Sequence, residues 1–139
     1  MRLLAATVFL FVVSGTAEAD PHADYLLYCR GCHLHTGDAV PAANVPSLQE
    51  LGPLMFSPEG REYIVRVPGV SQTAMSNDQL AAVLNWVLAE FNAGTLPDDF
   101  EPYSAEEVGI AREKILVDPL KTRTAILSEQ QKYPAAGSP

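Results

Sequence analysis

Leu80, Val83, Leu84, Val87, Leu88 and Phe91 recur at steps of three and four residues, the spacing that lines one face of an α-helix. Ser76 and Gln79 form a capping box ahead of this run, and Asn92-Ala93-Gly94 supplies a stop behind it. The pattern predicts a long amphipathic helix with Trp86 at the edge of its apolar stripe. Two shorter helices carry the same start signal, an N-cap residue followed by proline at the first helical position. Asp20-Pro21 opens one that bears Tyr25, Leu26 and Leu27. Ser57-Pro58-Glu59 opens another, with Tyr63, Ile64 and Val67 as its apolar face and Pro68-Gly69 as its stop. Two weaker helices follow: Ser104 to Leu116, capped by Ser104 and Glu107, and Asp118 to about Gln130 with Pro119 leading. Leu34 to Ser47 reads as loop, punctuated by Gly37, Pro41, Asn44 and Pro46. No convincing alternating strand is present, so the expected class is all-α.

The amino terminus has a different character. Arg2 precedes an apolar run from Leu3 to Val13, and Ala17-Glu18-Ala19 matches an A-x-A cleavage site. Residues 1–19 therefore read as a secretory signal peptide, too short in its apolar part to span a bilayer. The expected mature chain starts at Asp20, leaves no stable membrane span, and is about the size of one domain. Residues 133–139, rich in Pro, Ala and Gly, read as the core of a disordered tail over 131–139. The formal net charge is −8. That balance argues against nucleic acid or anionic lipid as a partner and suits a docking partner with a basic patch.

Candidate chemistry concentrates where the first helix ends. Cys29-Arg30-Gly31-Cys32-His33 is a C-x-x-C-H motif, the attachment signal for c-type haem. Residues three and four apart share one helical face, so both thiols and the imidazole converge. Cys29 and Cys32 are then placed for thioethers to the porphyrin, and His33 for iron as proximal ligand. Other readings stand beside this one. A disulfide accounts for the cysteines but leaves His33 without a role. A redox C-x-x-C usually follows a strand in a βαβ unit, which this pattern lacks. A structural zinc site wants four ligands, and only His35 is near enough to join the three. A largely apolar haem would fill much of so small a core, so the apoprotein is expected to fold poorly.

With these features the chain resembles the small monohaem cytochromes c of the class I type, over roughly Asp20 to Phe91. The shared features are a first helix ending in C-x-x-C-H, a proline-containing loop, and a late amphipathic helix bearing an aromatic. The resemblance implies a haem domain over residues 20–94, in which the first and last helices cross and Leu26, Leu27 and Trp86 share the packing. It also implies that the Pro46 carbonyl, in Val45-Pro46-Ser47-Leu48, accepts a hydrogen bond from His33 and orients the ring. Residues 95–130 lie outside the shared core and read as a helical extension folded over the domain.

A carrier of this family usually binds iron through His and Met. Met75 is the first choice here and Met55, in Gly52-Pro53-Leu54-Met55-Phe56, the second. Met75 departs from the family pattern because it directly precedes the N-cap Ser76, the position from which an apolar residue staples back onto the helix near Leu80. An absent methionine ligand is the third reading. His22 and His35 are remote candidates and read as surface residues. Arg61 and Arg66 are candidates for a haem propionate, although solvated helix positions explain them equally well. Tyr63 and Trp86 read as core aromatics. Asp98-Asp99 reads as a solvated turn and Glu106-Glu107 as a favourable first helical turn. No nucleophile with its base, phosphate loop or zinc protease motif is present.

The resulting expectation is a periplasmic electron carrier, not an enzyme, holding one covalent haem c. It would shuttle single electrons between a dehydrogenase or oxidoreductase and a downstream acceptor. The alternatives are a haem protein with an open sixth position, for gas binding, sensing or weak peroxidase activity, and a haem subunit of an oxidoreductase complex that docks through the extension.

Overall fold

The computed structural model describes residues 20–132, so the expected signal peptide and all but the first two residues of the expected tail lie outside it. Among the described residues the regular structure is helical: α1 (Pro21–Tyr28), α2 (Arg30–His33), α3 (Pro58–Arg66), α4 (Pro68–Ser71), α5 (Asn77–Asn92), α6 (Ala105–Arg112) and α7 (Pro119–Lys132). Short 3-10 turns span Pro41–Ala43, Leu48–Glu50 and Gly52–Phe56, and an isolated bridge pairs Val40 with Val45. The class is all-α.

Local chemistry accounts for most helix starts. Asp20, Ser57 and Ser104 each accept a hydrogen bond from a first-turn backbone N–H, and Ser76 forms a full capping box with Gln79. Two expectations about helix ends change. Pro68-Gly69 stops α3 but also opens α4. Proline pushes the preceding Val67 into extended backbone (φ −54°, ψ 128°), while its own fixed φ suits a first helical position. The helix expected to reach Leu116 ends at Arg112 instead.

The core is built around α5. Its buried face, Leu80, Ala81, Val83, Leu84, Val87 and Leu88, matches the periodic stripe. Tyr25 of α1 is fully buried and packs against Trp86 and Phe91 at ring-centroid distances of 5.1 and 5.8 Å. Leu27 does not share this packing, since it is 71% exposed on the outer face of α1. Leu27 stands two positions after buried Tyr25, about 200° around the helix, and so on the opposite face. Each fully buried large apolar side chain contributes roughly 1.5–3 kcal/mol.

The extension folds back on its own core. α6 packs on both α3 and α5, and α7 packs on α3 and the Gly52–Phe56 turn. The Arg61 guanidinium on α3 forms a bidentate pair with Glu107 on α6 (3.0 and 2.9 Å) and lies over the rings of Tyr103 and Phe100. Tyr103, nearly buried, donates its hydroxyl to the Arg61 carbonyl at 2.8 Å. At the other end of α5, buried Asn92 accepts from the N–H groups of Leu51 and Gly52 and donates to the Leu48 carbonyl.

Candidate functional site

The C-x-x-C-H residues form one tight turn. The N–H groups of Cys32 and His33 both donate to the Cys29 carbonyl at 3.1 Å, and α2 ends at Leu34 with a positive φ of 57°. The Tyr25 hydroxyl donates to the Leu34 carbonyl at 2.6 Å and ties this exit to the core. Cys29 is half-buried and Cys32 exposed, both as free thiols. Burial, with Asp24 and Cys32 nearby, pushes the Cys29 thiol up to about 11. Among the described residues, no group of three or more His, Cys, Asp or Glu side chains is assembled to hold a metal ion, so His35 does not complete a zinc set with the motif.

Beside the turn lies a mostly apolar cavity of about 110 Å³. The Cys29–His33 turn and Pro46 to Leu51 contribute to its wall. So do Tyr63 and Ile64 from α3, the segment from Val67 to Met75, and the buried face of α5. The cavity is smaller than the roughly 300–1,000 Å³ typical of ligand sites, so a haem-sized group needs its walls to part. Two polar atoms at its wall are buried without a hydrogen-bond partner, His33 Nδ1 and Thr73 Oγ1. Buried polar atoms are seldom left this way, and one explanation is a bound group that completes them. Burial lowers the His33 pKa, and the nearby Pro46 carbonyl offsets only part of this; Nδ1 is left without a formed hydrogen bond.

The two candidate methionines part company. Met75 is buried and lines the same cavity as His33. Met55 is equally buried but off that lining. Its sulfur sits 3.8 Å from the Tyr103 hydroxyl, in the packing between the Gly52–Phe56 turn and the extension. His35 is exposed, as is His22, which stacks on Trp86 at 5.0 Å. Neither lines the cavity.

The arginines are redistributed as well. Arg61 is engaged by Glu107 and the Glu101 carbonyl, and Arg66 by Glu62 and the carbonyls of Lys114 and Ile115. Both are off the cavity. The arginine on its wall is Arg123, from α7, with only 12% of its side chain exposed. It reaches Glu50 Oε2 at 3.2 Å; burial raises the pKa of the neighbouring Tyr63 phenol, and the Arg123 charge offsets part of that rise. Nothing in the local sequence around Arg123 or Thr73 marks either as part of a site; both arrive there by tertiary packing.

No family model matches the chain, and no solved structure matches it. Two curated relatives do, both named cytochrome c-552 and both from Thermus thermophilus. One is 28% identical over 91% of this chain and 95% of its own length. The other is 28% identical over 75% of this chain and 89% of its own length. The chain that assembles this cavity is thus similar, over most of its length, to proteins named as c-type cytochromes.

Proposed function

We propose that this protein is an exported electron-transfer cytochrome c that carries one covalent haem in the cavity beside the C-x-x-C-H turn. The observation that carries the reading is the meeting of Cys29, His33 and buried Met75 on one mostly apolar cavity. The similarity to the cytochromes c-552 supports it independently. When bound, the haem would supply a one-electron iron couple. Cys29 and Cys32 would hold it through thioethers, and His33 and Met75 would be the side chains available as iron ligands.

The chain's own residues do the rest. The apolar faces of α3 and α5 exclude water, and a dry site disfavours the ferric charge, which favours the reduced state. Arg123 and Tyr63 are the groups to meet a propionate, by charge-assisted hydrogen bonding. Among the described residues no helix is long and apolar enough to cross a membrane. A periplasmic home and brief docking to a partner with a basic patch follow from the signal-like amino terminus and the net charge of −8. Docking of that kind weakens as salt rises.

One observation favours the open-site reading. The Thr73 hydroxyl, buried and unpartnered on the cavity wall, is suited to hydrogen-bond a small exogenous ligand. Absorption spectra of the purified protein, oxidised and reduced, with and without carbon monoxide, separate the two. A low-spin c-type spectrum with a methionine-to-iron charge-transfer band and no response to carbon monoxide is expected. A high-spin spectrum that shifts with carbon monoxide transfers the proposal to ligand binding. Covalent haem retained unchanged in Cys29→Ala, Cys32→Ala and His33→Ala alike would refute the haem site itself.

A further inference from the structure

We infer that Arg112, on helix α6 of the extension, is a positioning residue that fixes the cavity wall carrying Thr73 and Met75. The inference deepens the haem reading above and rests on it for its functional consequence, though not for its structural content.

A single guanidinium collects four acceptors from this segment. Nε donates to the Ser71 carbonyl at 3.0 Å, and Nη2 to the Thr73 carbonyl at 2.7 Å. Nη1 donates to both the Met75 carbonyl and Asn77 Oδ1, each at 3.0 Å. The chain needs such a donor here. Between the end of α4 and the capping box of α5 it has left one helix and not begun the next, so the carbonyls of Ser71, Thr73 and Met75 lack helical partners. The planar fork of arginine, with five N–H donors, fits three alternate carbonyls in a way the point charge of lysine does not. The approach of α6 is close enough that a Cβ on Gly109 would come within 2.7 Å of Asn77 Nδ2. On its other side the clamped segment presents Thr73 and Met75 to the cavity. Besides Arg123 on the wall itself, the extension thereby acts on the haem site through the backbone of this segment, and loss of the clamp frees the wall that carries the proposed sixth ligand.

The test compares haem-loaded wild type with Arg112→Ala and Arg112→Lys by hydrogen exchange, carbon monoxide binding to the reduced protein, and midpoint potential. Exchange of the backbone amides over 72–76 is expected to rise at least tenfold in Arg112→Ala, with the α1 amides unchanged. Carbon monoxide should bind at least tenfold faster, and the potential should move. Arg112→Lys should recover only part of each effect, and it decides the matter if the alanine variant does not fold. Unchanged exchange over 72–76 in a folded variant overturns the inference. The two readings fail separately. A wild type without the charge-transfer band removes Met75 as ligand, while the exchange result still decides the role of Arg112.

Discussion

Asn92→Leu removes three hydrogen bonds that join the end of α5 to the loop behind the C-x-x-C-H turn. The side chain is 2% exposed; Oδ1 accepts from the Leu51 and Gly52 N–H groups at 2.9 Å each, and Nδ2 donates to the Leu48 carbonyl at 2.8 Å. Leucine has nearly the same size, so cavity formation is a small part of the effect. Leu51 and Gly52 are themselves buried, and each orphaned donor costs about 1–3 kcal/mol in desolvation. The added apolar burial of leucine offsets roughly 1–2 kcal/mol. The net expectation is a loss of about 3 kcal/mol, large against a typical total of about 5–15 kcal/mol. At about 4 °C per kcal/mol for a domain of this size, the midpoint of thermal unfolding should fall by about 12 °C. Guanidinium titration of the haem-loaded protein, followed by circular dichroism, measures the change at constant denaturant slope. A loss under about 1 kcal/mol, well below what two orphaned buried donors cost, would show that the freed N–H groups find other partners and refute the reasoning.

Two further predictions concern the packing of α3. Gly60→Ala should destabilise by about 1–3 kcal/mol, because its Cβ would run into the Leu54 carbonyl oxygen and force α3 off the Gly52–Phe56 turn; denaturant titration checks this, and a neutral result would mean the turn shifts freely. The hydrogen bond from Lys114, with the charges of Lys114 and Arg66, holds the Glu62 carboxyl below its ordinary value of 4.5. A depressed native pKa means the stabilisation is present above about pH 4.5 and disappears as the pH falls through the native value. Glu62 is a third exposed, so solvent screening limits the effect to about 1 kcal/mol or less. The stability difference between wild type and Glu62→Gln should be fully developed at neutral pH and shrink toward zero on acidification. A difference that persists unchanged at about pH 2, where the wild-type carboxyl is protonated, would assign the effect to packing.

What this sequence determined by itself was what a few adjacent residues can decide. The caps at Asp20, Ser57, Ser76 and Ser104 act on N–H groups two or three residues away, so the helix starts were readable without any fold. The stripe on α5 names its own buried face for the same reason, and the convergence of Cys29, Cys32 and His33 needs only one helical turn. Tertiary structure decided whatever depends on which surfaces meet. It separated two buried methionines by placing Met75 on the cavity and Met55 against Tyr103. It drew Arg61 and Arg66 onto the extension and carried Arg123 to the cavity wall. It also closed Arg112 onto carbonyls 37 to 41 residues away. A guanidinium on a flexible stem can satisfy many acceptors equally well, and only the packing of α6 and α7 against α3 and α5 selects among them.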